Sequence, residues 1–159
     1  MPEDRILREQ LVELLHGGSA HADAGTVLED FPADKWSFKP NGAPWSSWQL
    51  LEHIRIALDD LLDFCRNPEY VAPKWPEEYW PKEESPANAE AWDKSVAAVL
   101  GGLQSLEHLI KDEKSNLFAR IPWGDGQTLL REVLLAADHT SYHLGQIVLL
   151  RKQMNAWSG

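Results

Sequence analysis

Two histidines four residues apart are the part of the sequence best suited to chemistry. His139 and His143 lie in the stretch DHTSYHLGQ, inside a segment that otherwise reads as a buried helix. Side chains at this spacing share one face of an α-helix, so both imidazoles can direct a ring nitrogen at one cation about 2.1 Å away. The spacing is therefore typical of a helix that binds a metal ion.

His53 is the natural third ligand for such a site. It lies in the first two turns of a predicted second helix and is the only histidine on the inner side of that helix. Three neutral imidazoles without a thiolate suit Zn, Ni, Fe or Co, and they leave at least one coordination position open for water or substrate. The alternative interpretation is that each histidine is an ordinary buried residue, hydrogen-bonded to a backbone or carboxylate oxygen. The remaining histidines are predicted to be solvated: His16, His21 and His108.

Two further polar residues have weaker claims to a chemical role. Glu132 precedes His139 by seven residues, which is about 10 Å along a helix and too far for a direct ligand if both histidines of that helix bind. It could still hydrogen-bond to a ligand or act as a base through water. Cys65 is the single cysteine, so an intramolecular disulfide and a cysteine-based zinc knuckle are excluded. We expect it to be a small core residue.

Long helices must position these residues. Apolar or small residues recur with a helical period from Pro2 to about Phe31, and the stripe continues through the glycines at 17 and 18. This continuity favours one long helix over two, although each glycine costs about 1 kcal/mol relative to alanine. At the glycine pair we expect either a kink or the close approach of a neighbouring backbone.

A capping box predicts where the second helix begins. In SSWQ, Ser46 can act as the N-cap and Gln49 as the third helical residue, so that each side chain bonds the backbone of the other. The helix should run from about Ser47 to Arg66, with its apolar stripe and His53 towards the core. Four charged residues are predicted to face water: Glu52, Arg55, Asp59 and Asp63.

Two more helices follow in the second half of the chain. Ser85 and Pro86 form a suitable N-cap and first residue for the third helix, and Thr128 caps a fourth that runs to about Met154. The strongest apolar stripe of the fourth helix consists of Leu130, Leu134, Ala137, Leu144 and Val148. The two histidines lie mostly about 140° or more from that stripe. The fourth helix should therefore contact neighbours on more than one side.

The fold class follows from these helices. No segment shows strand alternation, an internal repeat or low complexity, which indicates an all-α protein. The first and second helices and the third and fourth have short links, whereas a long proline-rich segment joins the second to the third. This pattern predicts a four-helix bundle with a crossover loop between helices 2 and 3. A chain of 159 residues can build one hydrophobic core, so we expect a single domain over residues 1–159.

Charge and hydropathy argue against two classes of partner. The chain has 15 Lys and Arg residues against 25 Asp and Glu residues, for a net charge of -10. Such a surface repels phosphate backbones and anionic lipids, so we expect no nucleic-acid and no membrane partner. There is no apolar run of about 18 residues and no basic, apolar leader at the start. These features, with the single cysteine, favour a cytoplasmic protein.

Eight tryptophans are unusual for this length. Trp92 lies on the apolar stripe of the third helix and is predicted to be core. The others of interest lie in loops or at helix starts: Trp45, Trp48, Trp75, Trp80 and Trp123. They could cover the bundle ends or a dimer seam, or they could form an aromatic mouth over the metal with the 68–85 loop as a lid.

The motifs resemble those of one known family. KPNGAPWSSWQLLEHI, which ends around His53, and GQTLLREVLLAADHTSYHLGQIVLLRKQM, which contains His139 and His143, are similar to segments of the DinB-like (DinB/YfiT-type) metal-binding superfamily. The second motif is the more specific, because Tyr142, Gly145 and Gln146 accompany its histidine pair as they do in that family. The resemblance implies an up-down-down-up four-helix bundle, a divalent ion held by the three histidines, and a homodimer.

The resemblance also guides the functional hypotheses. Characterised relatives include thiol-dependent S-transferases and a mycothiol-dependent maleylpyruvate isomerase, which implies a small-molecule substrate and a low-molecular-weight thiol. The leading hypothesis is a metal-dependent transferase that activates a thiol, with Zn, Ni or Fe as the ion. A metal-hydroxide hydrolase would use the same open position. The third possibility is a non-catalytic metal-binding or stress-response bundle in which the ion is structural.

Overall fold

The computed structural model describes residues 2–157. Its five α-helices are α1 (Pro2–His16), α2 (Ala24–Leu28), α3 (Ser47–Arg66), α4 (Ala89–Lys111) and α5 (Leu129–Gln153), with a short 3₁₀ turn at Ala33–Lys35. Residues 2–157 contain no β-strand, so the predicted all-α class is confirmed. None of these helices combines the length and the apolar character that a bilayer crossing demands.

The four long helices pack against one another through apolar faces. α3 packs against α4 and α5, and α1 packs against the same two helices, while the short α2 also contacts α4 and α5. The buried apolar side chains of the three longest helices include Leu51, Ile54, Leu58, Val99, Leu106, Val133 and Ile147. Full burial of such a side chain stabilises the fold by roughly 1.5–3 kcal/mol relative to exposure.

The predicted single first helix is wrong, because two helices replace it. α1 ends at His16, and the glycines that follow have φ angles of 71° at Gly17 and 86° at Gly18. A right-handed helix cannot contain this left-handed backbone, which glycine adopts without steric cost. The chain restarts at α2, where the Asp23 carboxylate accepts the Thr26 backbone N–H at 2.9 Å. The glycine pair therefore ends a helix instead of kinking one.

The capping signals of α3 and α5 are confirmed. The Ser46 hydroxyl accepts the Gln49 backbone N–H at 3.2 Å, and the Gln49 side-chain oxygen accepts the Ser46 backbone N–H at 3.1 Å. At α5, the Thr128 hydroxyl accepts the Arg131 backbone N–H at 3.2 Å. These bonds satisfy donors that the helix itself cannot pair. They fix the starts of the two helices that carry the three histidines of interest.

The start of α4 differs from the prediction. Asn88, and not Ser85, is the N-cap, and its side-chain oxygen accepts the Ala91 backbone N–H at 2.9 Å. The residues before Asn88 belong to the loop, whose end is held by a hydrogen bond from the Ser46 hydroxyl to the Glu84 carbonyl at 3.2 Å. This contact keeps the end of the loop against α3, so that the first turn of α4 forms three residues later than the local signal suggests.

One of the charged residues predicted to face water is buried. Glu52 is only 9% exposed, and its carboxylate accepts hydrogen bonds from Ser95 on α4 at 2.6 Å and from Arg55 at 2.8 Å. Burial alone would raise the pKa of Glu52, but these two donors hold the pKa below its ordinary value. The prediction failed because α4 supplies a partner on that side of α3. Asp59 and Asp63 are exposed, as predicted.

The apolar stripe predicted for α5 is confirmed only in part: Ala137 and Leu144 are buried, but the centre of the buried arc lies elsewhere on the helix. Leu134 is 44% exposed and Leu130 is half-buried, whereas Val133, Ala136 and Ile147 are fully buried. α5 packs against both α1 and α3, so its buried arc is centred between two neighbours. Hydropathy along one helix does not show where those neighbours lie. The consequence is that Glu132 and His143 also fall on the buried side.

A buried arginine ties α5 to the segment that contains α2. Arg151 is 5% exposed, and it donates to the carbonyls of Val27 at 2.7 Å, Glu29 at 3.0 Å and Ala156 at 2.7 Å. Its guanidinium also lies 4.8 Å from the centre of the Phe31 ring. The Val27 and Glu29 carbonyls lie at the C-terminal end of α2 and the Ala156 carbonyl lies beyond the end of α5. None of them has an intrahelical partner, so the arginine satisfies groups that would otherwise be orphaned.

Candidate metal centre

The structure brings the three predicted histidines together. His53 comes from α3, and His139 and His143 come from α5; the candidate ligand nitrogens of all three lie within 4.8 Å of one another. The Nε2 atoms of His53 and His139 are 3.0 Å apart. His53 and His143 are buried and His139 is half-buried. Residues that are 86 positions apart in the chain therefore meet at one point between two helices.

The hydrogen bonds on the far side of two rings determine which nitrogen is available. The His53 Nδ1 lies 2.6 Å from the Tyr79 carbonyl oxygen, and the His143 Nδ1 lies 2.7 Å from the Gln146 side-chain oxygen. Both oxygens only accept, so each Nδ1 carries the proton and each Nε2 keeps its lone pair. This arrangement is how proteins orient metal-binding histidines. The donor set fits a divalent ion, and these three side chains could hold one.

Burial keeps the three rings in the neutral form that binds metals. It is the main cause of the lowered pKa at His53, and a raising effect of the bond to Tyr79 does not reverse it. Burial, followed by the neighbouring His143 and His53, lowers the pKa of His139 to about 4. The pKa of His143 is also lowered, again mainly by burial. No proton needs to leave these rings at neutral pH before a cation binds.

Two tryptophans cover one side of the cluster. The Trp80 ring stacks on the His53 ring with centroids 3.9 Å apart and an angle of 2°, and Trp45 stacks on Trp80 at 4.1 Å and 18°. The Trp80 and His143 rings are perpendicular, with an interplanar angle of 90° and centroids 6.2 Å apart. Trp80 belongs to the segment between α3 and α4, so this long loop reaches the candidate site.

A small cavity lies next to the histidines. It has a volume of about 260 Å³ and is lined by Asn41, Gly42, Ala43, Pro44, Trp45, Leu50, Gln146, Leu149, Leu150 and Gln153. Two of its lining residues also belong to the surroundings of the histidines. Gln146 hydrogen-bonds His143, and Trp45 stacks on Trp80, which covers His53. All of the lining side chains are apolar or neutral amides. The cavity therefore suits an uncharged group.

Glu132 and Cys65 do not belong to the histidine cluster. The Glu132 carboxylate is 1% exposed and pairs with Arg131 at 2.8 Å. Burial, followed by the charge of Glu132, raises the pKa of the half-buried Cys65 thiol to about 12. A thiol with this pKa is inert at neutral pH. The group that could hold an ion contains the three histidines and does not include Glu132.

The other three histidines are placed outside the cluster. His108 is exposed, and His21 is exposed with its ring 3.1 Å from the Ser141 hydroxyl. His16 is half-buried at the end of α1, where its Nε2 lies 2.8 Å from the Glu107 carboxylate on α4. His16 is therefore less solvated than predicted, because α4 supplies it with a partner.

The remaining tryptophans divide between core and surface. Trp92 is 3% exposed, which confirms its predicted place in the core, and Trp36 stacks on it at 4.9 Å. Trp48 is also buried in the first turn of α3. The Trp123 indole donates to the Phe64 carbonyl at 2.7 Å and so fixes the loop before α5. Trp75 is the exposed member of the group.

Comparison with known protein families identifies the chain. A family model described as the DinB superfamily matches residues 19–147, which is most of the sequence and includes all three histidines. The chain belongs to the DinB superfamily. Comparisons with curated proteins and with solved structures found no match.

Two of the groups that support the histidines were not predicted as such. The Tyr79 carbonyl is a backbone atom in an irregular loop, and no side-chain pattern indicates where such an atom points. In the sequence, Gln146 stands out only as a flanking residue of the second motif. Its position three residues after His143 is a usable signal, because side chains at this spacing meet on a helix. The tryptophans of the 68–85 loop are the sequence signal for a lid over the site, and one of them, Trp80, stacks on His53.

Proposed function

We propose that this protein binds one divalent metal ion through the Nε2 atoms of His53, His139 and His143. The observation that carries the proposal is the pair of Nδ1 hydrogen bonds to Tyr79 and Gln146, which leave the Nε2 lone pairs of His53 and His143 available where the three rings converge. The His53 Nε2 lies 3.0 Å from the His139 Nε2, so a cation bound by both rings would take the place of a contact between them. Zinc, nickel and iron all accept such a ligand set, and we propose one of them as the ion.

We propose further that the protein is a metal-dependent transferase that uses a low-molecular-weight thiol. Three protein ligands leave at least one coordination position for another molecule. A divalent ion here would lower the pKa of a thiol that reaches it and so supply a nucleophile at neutral pH. Cys65 offers no substitute, because it is half-buried and its thiol pKa is raised. The thiol would therefore come from a second small molecule.

The chain's own residues would orient the site and bind the substrate. Tyr79 and Gln146 hold two of the ligand rings, and Trp80 shields one face of His53 from water. The neighbouring cavity, with its apolar and amide lining, would accept an uncharged part of the electrophilic substrate. Glu132 lies outside the group of candidate ligands, so we propose that it acts only by a hydrogen bond to a ligand or as a base through water.

A non-catalytic role for the ion is the second candidate. An ion at this position would join α3 to α5, since His53 belongs to one helix and the other two ligands to the other. Such a bridge would brace the bundle whether or not a substrate binds. A bundle of this kind would present its surface to a partner in a stress response. A hydrolase that activates water in place of the thiol would use the same ligands.

The finer architecture and the setting are also proposals. We propose that the four long helices form an up-down-down-up bundle in which residues 67–88 cross from α3 to α4; the packing of α1 and α3 against the same two helices supports this order. We propose a cytoplasmic homodimer, for which the exposed Tyr142 and Leu149 on α5 offer contact area. The net charge of -10 supports a small-molecule partner over nucleic acid or membrane.

Cobalt substitution tests the proposed function. Protein reconstituted with Co²⁺ is titrated with glutathione, cysteine and other small thiols while its visible spectrum is recorded, and each thiol is then assayed with electrophiles. We expect a new sulfur-to-cobalt absorption band and turnover, both lost in His143→Ala and retained in His108→Ala. A spectrum that no thiol changes would contradict the transferase. Water exchange with ester hydrolysis would then favour the hydrolase, and an inert ion would favour the structural role.

A further inference from the structure

The segment that covers the candidate site is fastened to α3 by one carboxylate. The Tyr70 hydroxyl donates to one oxygen of Asp60 at 2.7 Å, and the Tyr79 hydroxyl donates to the other oxygen at 2.7 Å. Both tyrosines belong to residues 67–88, which contain no helix or strand. Asp60 therefore closes two loops of different length, with partners 10 and 19 residues away.

Tyr79 connects this carboxylate to a histidine of the candidate metal centre. Its hydroxyl reaches Asp60, while its backbone carbonyl lies 2.6 Å from the His53 Nδ1. Asp60 follows His53 by seven residues, so the two lie on the same face of α3 about 10 Å apart. The next loop residue, Trp80, stacks on His53 at 3.9 Å. The loop thus runs along α3 and touches it at both points.

We propose that Asp60 is a positioning residue for the candidate metal centre. By holding Tyr70 and Tyr79, it places the Tyr79 carbonyl that selects the tautomer of His53, and it places Trp80 over the ring. The part of this proposal that concerns the ion rests on the proposed function. The part that concerns the His53 proton depends only on contacts within the protein.

The chemistry of the three side chains suits this role. Burial, followed by the hydrogen bond to Asp60, raises the pKa of Tyr79 to about 12, and the same two causes raise the pKa of Tyr70. Both hydroxyls therefore remain donors at neutral pH, and a carboxylate accepts them more strongly than a neutral group would. Without such an anchor, a segment of this length would gain conformational freedom that opposes a fixed carbonyl position.

A second anchor fixes the other end of the same segment. The Ser46 hydroxyl donates to the Glu84 carbonyl at 3.2 Å, and the Lys39 ammonium pairs with the Glu84 carboxylate at 3.0 Å. Along the chain, Tyr79 and Trp80 precede the anchor at Glu84 and follow Tyr70, the first residue that Asp60 holds. Removal of the Asp60 contacts should therefore release the loop on one side of His53 without detaching it at the other, which makes the effect specific and measurable.

The proton on the His53 Nδ1 gives the most direct test. In ¹⁵N-histidine-labelled protein, with and without zinc, its tautomer and its exchange with solvent are measured by NMR. In Asp60→Ala and in Tyr79→Phe we expect exchange at His53 to accelerate about tenfold. The His143 Nδ1 proton, which Gln146 holds, should not change. The matched control is Asp63→Ala, which truncates an exposed aspartate on the same helix.

Zinc release to a chelator gives the second readout. We expect release to be about tenfold faster in Asp60→Ala than in Asp63→Ala, in line with the effect of removing groups that support metal ligands. Asp60→Asn should fall between Asp60→Ala and the wild type, because an amide oxygen can still accept one of the two hydroxyls. This partial rescue distinguishes positioning from a general loss of stability, which melting curves of all variants record.

Two results would overturn the inference. If Tyr79→Phe, which removes a single oxygen atom, leaves both the tautomer and the exchange of His53 as they are in Asp63→Ala, Asp60 does not position that ring. Equal zinc release in Asp60→Ala and Asp63→Ala would also contradict it. A protein that bound none of zinc, nickel and iron would defeat the proposed function instead, and the proton measurement on the metal-free protein would still decide the role of Asp60. If Asp60→Ala fails to fold, Tyr79→Phe decides.

Discussion

Of the three clustered histidines, His139 has the pKa that is lowered most. Burial, with His143 and His53 close by, lowers its pKa to about 4. The pKa of a histidine in an unfolded chain is about 6.5. Between these two pH values the unfolded chain binds a proton that the folded, metal-free protein does not. The free energy of unfolding of the metal-free protein must therefore fall as the pH falls through this window.

This difference gives a prediction for the metal-free protein. Between pH 7 and pH 4.5 we expect its unfolding free energy to decrease by an amount to which His139 contributes on the order of 2 kcal/mol, after allowance for partial solvent screening. Urea unfolding in the presence of a chelator at several pH values measures the decrease. His139→Gln, which cannot titrate, should lose less stability over the same range. The exposed His108→Gln serves as control, and equal slopes in all three proteins would contradict the prediction.

Sequence reasoning reached the three histidines because their signals are carried by side chains. The spacing of His139 and His143 fixes their common face, and the inner position of His53 follows from the period of its helix. The groups that orient the rings were harder to find, because Tyr79 acts through a backbone carbonyl. The burial of Glu52 was missed for a related reason: its partner Ser95 lies on another helix.

At the scale of elements, local capping chemistry was the reliable signal. Ser46 and Thr128 cap α3 and α5 as predicted. The capping bond joins a hydroxyl oxygen to the backbone N–H three residues later, so it does not depend on any distant part of the chain. The start of α4 at Asn88 and the break at Gly17 were not predicted. At both places several local conformations are compatible with the sequence: the glycine pair can adopt the left-handed backbone that ends α1, and a contact from Ser46 holds the residues before α4.

Arg151 gives a prediction at this scale, because it joins α5 to the C-terminal end of α2. In Arg151→Ala the carbonyls of Val27 and Glu29 would lose a charged donor in a buried setting. We expect the free energy of unfolding to fall by roughly 2–4 kcal/mol. Chemical unfolding measures the change, with Lys152→Ala, an exposed neighbour on the same helix, as the matched control. A difference below about 0.5 kcal/mol between the two variants would show that the carbonyls find other donors.

At the scale of the whole molecule, the candidate metal centre lies where α3 meets α5. An ion held there would bind the native state and not the unfolded chain, so its removal should lower the melting temperature. At metal concentrations about 100 times the dissociation constant we expect a decrease of roughly 5–10 °C on addition of a chelator. Thermal unfolding followed by circular dichroism measures the shift. His143→Ala should melt at the same temperature with and without chelator, and an unchanged melt of wild-type protein verified to lose its metal would mean that the ion does not brace the helices.

The most direct test of the central claim is elemental analysis of protein purified without added metal. We predict about one divalent ion per chain in the wild type, as three converging imidazoles require. The metal content should be strongly reduced in His53→Ala, His139→Ala and His143→Ala, and unchanged in His108→Ala, whose side chain is exposed and outside the cluster. Equal metal content in His143→Ala and His108→Ala would contradict the assignment of the three histidines as the ligands.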